Sequence, residues 1–392
     1  MSAESRRELI SKLQALLGPE HRVMAFVNGV RPWKGMKETL ATQIAQDSVR
    51  ICYDHLAALS RGIAKQKLKI DLFLFSFGGD TSVPWRLVSL FREFAGEFRV
   101  IVPYVAMSAA TMICLGADEI VMGRKGELGP IDPSMTDPAI LRIEGTHPLI
   151  GVEDVSNYVS FVRERCNVRQ PALIARAVEL LTAQVGPIGL GKLNRQHSYI
   201  RLVGERLLNS RRRANRAKIK PILRTLIEDG SFHGHAISRS EARNLGLHVR
   251  IPQSKIEEAI WALYLEFERD FELFKPIDQE RWLAQATGDV VDSSDLVLGG
   301  IESPTQTDNF VYKFRFHVLR QTPPNVTIQI QLPGIATLPT TPDDRRLFQQ
   351  LIQEAIEKAS PAVTAALRAQ APFHEVRREI LRAEWATVWK EG

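Results

Sequence analysis

The chain has 392 residues, 44% of them hydrophobic and 24% charged, which excludes a disordered or fibrous protein and is too long for a single small core. Its net charge of +6 is modest at this length, and three scattered cysteines, Cys52, Cys114 and Cys166, exclude a disulfide framework. No Cys-x-x-Cys pair offers a zinc site, and no cofactor motif is present, so none is expected.

Taken in chain order, residues 5–17 read as an amphipathic helix, but Arg6, Arg7 and Lys12 interrupt any signal-peptide core. The longest apolar run, residues 104–115, is about half of the ~20 residues a membrane span needs, so a cytoplasmic chain is expected. Residues 22–28 predict a strand and 39–59 a helix. A strand follows at 70–77, a helix at 83–94, a strand at 99–105, a helix at 109–117 and a buried strand at 119–122. Strands alternating with helices predict a parallel sheet covered by helices.

Helical patterns return at 152–182 and 193–208, separated by a turn or loop at Gly186-Pro187-Ile188-Gly189-Leu190-Gly191. A further helix is expected at 219–226. Ser238, Glu241 and Gly246 then mark a short capped helix with a strand after it. A helix at 256–273 closes this part. Beyond it, alternating strands at 289–301, 310–319 and 325–332 and two helices at 343–371 and 374–389 predict a small α+β unit. The domain reading is therefore a helix at 1–21, a main α/β domain at 22–275 and a C-terminal unit at 276–392, with no internal repeat.

Two strand ends carry the chemistry. Leu72-Phe73-Leu74-Phe75 runs into Phe77-Gly78-Gly79-Asp80, and Val100-Ile101-Val102 runs on to Ala106-Met107-Ser108-Ala109-Ala110. A glycine pair at a strand end turns the chain and exposes backbone N–H groups, two of which can hold a developing oxyanion. Ser108 falls at a strand-to-helix turn, where nucleophilic serines stand. In a sheet of βα units, sites lie beyond the carboxyl ends of the strands, and both segments occupy that place.

The order of Gly-Gly-Asp, Ala-x-Ser-Ala, Ala117-Asp118-Glu119-Ile120-Val121-Met122 and Leu128-Gly129-Pro130-Ile131-Asp132-Pro133 resembles the Clp-fold serine proteases. The nearest likeness is to the group related to signal peptide peptidase A and termed serine dehydrogenase proteinase. The resemblance spans residues 22–249 and is densest at 69–133. It implies a Clp/crotonase-like fold and a serine endopeptidase that acts on polypeptides through an acyl-enzyme at Ser108. The amides of Gly79, shaped by Gly78, and Ala109 would form the oxyanion hole. It also implies a homo-oligomer, with the C-terminal unit serving assembly or a protein partner.

The same resemblance implies a general base. Clp proteases place a histidine where this chain has Asp132, so Asp132 is kept as a site candidate that orients a base, binds substrate or caps its proline-flanked turn. Signal peptide peptidase A-like enzymes use a lysine farther along, and Lys192 is the candidate; Lys125 reads as solvated. His147, His197, His233 and His235 read as surface or core-edge residues, and no set of histidines has metal-ligand spacing with a third partner. Two other functions stay open: a crotonase-like acyl-CoA enzyme using Asp132 for proton transfer, and a non-catalytic Clp-fold scaffold in a multi-protein system. The basic run Arg211-Arg212-Arg213, Arg216, Lys218, Lys220 and Arg224 lacks interleaved aromatics, so nucleic acid is not the expected partner.

Overall fold

The computed structural model describes residues 3–131, 134–135, 150–228, 236–284, 290–321, 341–369 and 377–391. They divide into two compact units, one of Met1–Ile277, Asp295–Tyr312 and Thr387–Gly392, the other of Asp278–Ser294 and Lys313–Ala386.

In the first unit, α1 (Ala3–Leu17) leads into β1 (His21–Asn28), and α2 (Asp47–Leu59) into β2 (Lys69–Phe75). Then come α3 (Val83–Phe94), β3 (Glu97–Val102), the short β4 (Val105–Ala106), α4 (Ala109–Leu115), β5 (Glu119–Met122) and β6 (Glu127–Leu128). A helical stretch follows: α5 (Val152–Ser160), α6 (Pro171–Val185), α7 (Pro187–Asn209) and α8 (Arg216–Leu223). The unit continues with β7 (Ile237–Ser238), α9 (Arg239–Leu245), β8 (Val249–Arg250) and α10 (Ser254–Asp270).

The sheet runs in the order β8-β5-β3-β2-β1 with every neighbouring pair parallel. A parallel sheet must be covered on both faces, and the side chains obey this. Leu72 and Leu74 of β2 belong to a core with Ile51 of α2, Leu87 of α3, Ile113 of α4 and Leu207 of α7. Phe73 and Phe75 point the other way, stacked at 6.1 Å on Phe267 and tilted at 5.2 Å against Tyr264, both on α10. The mixed α/β fold with a parallel sheet and covering helices is the one the sequence predicts.

Beyond α10, β9 (Val290–Asp292), β10 (Leu296–Glu302), β11 (Thr307–Gln321), α11 (Pro342–Ala369) and β12 (Arg377–Glu391) complete the chain. Strand β10 adds antiparallel to β1 and pairs with the first residues of β11, within the first unit. In the second unit β9 pairs antiparallel with Arg315, Phe316 and His317, and Trp282 stacks on Phe314 and Phe316. Helix α1 is tied to the first unit by Arg6, which donates to Glu302 and Asp270 at 2.6 Å each and lies over the rings of Phe267 and Phe271.

Three local expectations are corrected. Residues 39–59 are not one helix: Thr39–Ala41 is a short strand, and the helix begins at Asp47. The expected loop at 186–191 is only a bend at Gly186, with φ +78, after which Pro187 opens α7 from the N1 position that its fixed φ suits. Residues 377–391 are a strand rather than a helix, because pairing to β11 supplies backbone partners that outweigh a mixed hydrophobic period. The capped helix holds: Ser238 Oγ accepts from Glu241 N, the Glu241 carboxylate accepts from Ser238 N, and Gly246 is left-handed at φ +101. The strand expected at 325–332 lies outside the described residues.

Candidate active site

The two strand ends singled out in the sequence meet at the carboxyl edge of the sheet. Past β2, Ser76 N donates to Val105 O at 3.1 Å, and Met107 N donates back to Ser76 O at 3.0 Å, which stitches the two segments together. The Ser76 hydroxyl is fully buried and accepts from Gly78 N at 3.0 Å, closing a tight side-chain turn ahead of the glycine pair. This residue went unnoticed in the sequence, and its only signal was a polar side chain in an apolar strand.

Gly78 and Gly79 have φ of +114 and +151, where L side chains are rare, and each is also crowded. A Cβ on Gly78 would stand 2.8 Å from Ser108 Cβ and 3.4 Å from Ala109 N. A Cβ on Gly79 would lie 2.2 Å from Ile44 O, because Ile44 bridges this turn: Ile44 N donates to Gly78 O and Asp80 N donates to Ile44 O, both at 2.9 Å. Asp80 Oδ1 then accepts from Ser82 N at 2.8 Å and leads the chain into α3.

Ser108 precedes α4 with φ 50 and ψ −115, a conformation that non-glycine residues hold only when the surroundings enforce it. Those surroundings are visible. Ser108 N donates to Pro130 O at 3.2 Å, Ala110 N to Met107 O at 2.9 Å and Gly129 N to Ala106 O at 2.9 Å. The buried Thr111 hydroxyl lies 2.8 Å from both Ala106 O and Gly129 O. Ser108 is half-buried while the helix behind it is wholly buried, so its side chain stands at the surface of the junction. Among the described residues, Ser108 Oγ makes no hydrogen bond, and neither Gly79 N–H nor Ala109 N–H is used within the fold.

The residues expected to serve the base are placed as follows. Lys192 is half-buried on α7, next to Leu193, which clusters with Val185 rather than with the core around Ala109. Asp132, His147, His233 and His235 lie outside the described residues. His197 is half-buried on α7 and has a partner, and Lys125 is exposed, as expected. Cys52 and Cys114 are fully buried, which pushes both thiols well above their ordinary range and leaves them as packing residues. Among the described residues no group of histidine, cysteine and carboxylate side chains could hold a metal ion. No single described helix is long and apolar enough to cross a membrane, although α6 and α7, bent by 95°, pass that test together by length and composition.

Residues 53–157 match the ClpP-like SDH-type serine proteinases. The matched segment contains both strand ends and Ser108, and it is the family that the motif order resembles. Two uncharacterized proteins of Methanocaldococcus jannaschii are similar over shorter stretches. One is 39% identical over 66 residues, 17% of this chain and 23% of the relative; the other is 32% identical over 73 residues, 19% and 25%. The chain thus spans about a quarter of the length of these curated relatives. Among solved structures, a variant of the 1510-N membrane-bound stomatin-specific protease in complex with a substrate peptide is similar at 15% identity, covering 54% of this chain and 72% of that chain with a TM-score of 0.33. ClpP1 from Listeria monocytogenes is similar at 14% identity, covering 55% and 90% with a TM-score of 0.29. At such scores these likenesses carry no argument.

Proposed function

We propose that the chain is a serine peptidase that cleaves polypeptides through an acyl-enzyme on Ser108. The observation that carries this reading is the contact of the two strand ends. Gly78 sits against Ser108 and Ala109, and the unused N–H groups of Gly79 and Ala109 flank a serine held in a strained turn. The match of residues 53–157 to a serine proteinase family supports it. In the reaction, Ser108 Oγ attacks the scissile carbonyl and loses its proton to a base. The carbonyl oxygen becomes an oxyanion held by the two amides, and collapse releases the amine and leaves an ester, which water then hydrolyses.

The base is a lysine or a group not yet identified, for which Lys192 is the candidate, with Asp132 as a group that would orient the base or bind substrate; a lysine serves only when it is uncharged and within hydrogen-bond reach of the hydroxyl. The polypeptide substrate, self-assembly and a protein partner for the C-terminal residues 276–392 belong to the same proposal. A crotonase-like acyl-CoA enzyme would use the same pair of amides but has no need of a serine nucleophile.

Covalent labelling with a fluorophosphonate separates these readings. The wild type is expected to label, Ser108→Ala to lose the label, and Lys192→Met to lose it while melting at the wild-type temperature. A folded wild type that takes no label would sink the hydrolase reading, and a labelled Lys192→Met would remove Lys192 from it.

A further inference from the structure

The amino edge of the parallel sheet, at the other end of the strands from Ser108, carries charges that the chemistry at Ser108 does not use. Asp71 is fully buried within β2, between the apolar Ile70 and Leu72. Paired residues of a parallel sheet point to the same side, and the register shows what Asp71 meets. Asp71 is level with Arg99 of β3, and Arg99 with Glu119 of β5. Two residues nearer the edge, His21, Lys69 and Glu97 form a second row. Both rows face α10, because Phe73, the next residue of β2 on that side, stacks on Phe267. Between these rows, Arg250 of β8 and Ile256 of α10 lies a cavity of about 350 Å³, within the range of about 300–1,000 Å³ that holds small ligands.

An ion cluster that serves only the fold satisfies its members internally, since buried polar groups are almost always paired. This cluster leaves groups over. His21 Nδ1 lies 2.6 Å from Asp71 Oδ2. Arg99 Nε stands 2.9 Å from Asp71 Oδ1 and 3.5 Å from Glu119 Oε2, but makes a hydrogen bond to neither. The Arg99 side chain is only 5% exposed, yet among the described residues its two terminal amino groups have no partner. Nor does His21 Nε2. Arg99 and His21 both line the cavity, and these unpaired atoms are open to it.

The lining carries both signs of charge, which limits what can enter. At the rim the charges already cancel, with Lys69 3.6 Å from Glu20 and Glu97 3.6 Å from Arg212. Inside, Arg99 and Glu119 decide: a bare anion meets the Glu119 carboxylate, and a bare cation meets the Arg99 guanidinium. Arg250 Nη1 lies 3.4 Å from Glu119 Oε2 on a side chain that is half exposed, so it can swing toward a ligand or away from it. We propose that this cavity binds a small zwitterion, an α-amino acid or a dipeptide. Its carboxylate takes the unpaired fork of Arg99, whose planar N–H groups match two oxygens at once. Its ammonium group rests against Glu119. Seven residues of β2 at about 3.3 Å each separate this site from the glycine turn, so the proposal does not depend on the role given to Ser108.

The test is thermal melting of the full chain with L-alanine, L-leucine, L-glutamate, L-arginine or glycylglycine, followed by calorimetric titration of the compound that raises the midpoint most. A ligand that binds only the folded chain raises the midpoint as its concentration grows. The N-acetylated form of that compound lacks the ammonium and its amide lacks the carboxylate, and each is expected to bind about 10-fold or more weakly. Arg99→Lys keeps a cation beside Asp71 but loses the fork, and should weaken binding by a similar factor. Glu119→Gln keeps the side-chain shape and should remove the preference for the zwitterion over its N-acetylated form. Because Glu119 is the less buried of the two, this variant decides the matter if Arg99→Lys fails to fold. No rise of the midpoint with any of these compounds up to about 10 mM, well above a weak Kd of about 1 mM, overturns the proposal. So does equal binding of the blocked analogues, or unchanged affinity in the folded variants, which would put the ligand elsewhere. Inorganic phosphate binding more tightly than every zwitterion overturns it as well, in favour of a simple anion site.

Discussion

Replacing Gly79 with alanine tests the site where it is built most tightly. The new Cβ would stand 2.2 Å from Ile44 O and 2.6 Å from Ile44 N, at a residue with φ +151. Ordinary contact begins about 1 Å farther out, and the obstacle is backbone, so no side chain can swing aside. The turn and the Ile44 segment must separate, which breaks the bonds from Ile44 N to Gly78 O and from Asp80 N to Ile44 O. At about 1 kcal/mol each these cost about 2 kcal/mol of stability. Displacing the Gly79 N–H also removes one of the two proposed oxyanion donors, a loss worth about 10²–10³ in rate. The expected outcome is therefore a modest fall in unfolding free energy by urea titration with a fluorophosphonate labelling rate at least about 100-fold lower. A folded variant that labels at the wild-type rate would refute both the donor assignment and the claim that Ile44 fixes the loop.

Other outcomes follow from single features of the fold. Ser108→Gly should unfold at higher denaturant than Ser108→Ala, because glycine relieves the turn at φ 50 by about 1–3 kcal/mol; equal midpoints would show that the turn is unstrained. His55 is fully buried 3.0 Å from Asp308, and burial lowers its pKa despite that carboxylate. Its neutral form is favoured in the folded state. Its stabilising contribution is therefore complete above the unfolded pKa of about 6.5 and is lost as pH falls through the lower folded value, and melting curves taken from pH 8 to 5 should decline less steeply in His55→Gln. Arg6→Met strands the fully buried Glu302 and the nearby Asp270, at a cost of about 3–5 kcal/mol, much of which Glu302→Gln should restore in the double variant; an additive double would contradict the pairing.

The legible parts of the site were those where backbone demands select residue types. A Cβ would strike Ser108 Cβ at Gly78 and the Ile44 backbone at Gly79, and small residues surround Ser108 because α4 is buried on every side, so both left a compositional trace. The bridging partner of the glycine turn left none: Ile44 is an ordinary apolar residue in a segment whose period reads as helix, and only its pairing across more than thirty residues gives it a role. The long strand at 377–391 was hidden for the opposite reason, because its mix of arginine, glutamate and tryptophan satisfies a helical period that pairing with β11 overrides.

That the site is made chiefly of main chain has a consequence at Thr111. Its hydroxyl lies 2.8 Å from the carbonyl oxygens of Ala106, at the end of β4, and Gly129, just past β6. Ala106 O also accepts from Gly129 N at 2.9 Å, so losing the hydroxyl leaves Gly129 O as the acceptor that has no other donor among the described residues. Thr111→Val keeps the shape of the side chain and should cost about 1–3 kcal/mol. If Ser108 reacts because the two strand ends are held at fixed separation, the variant should also label more slowly by fluorophosphonate at a temperature where it is fully folded. Reduced stability with an unchanged labelling rate would show instead that Ser76 and Ile44 suffice to hold the glycine loop against Ser108, and that Thr111 only secures the first turn of α4.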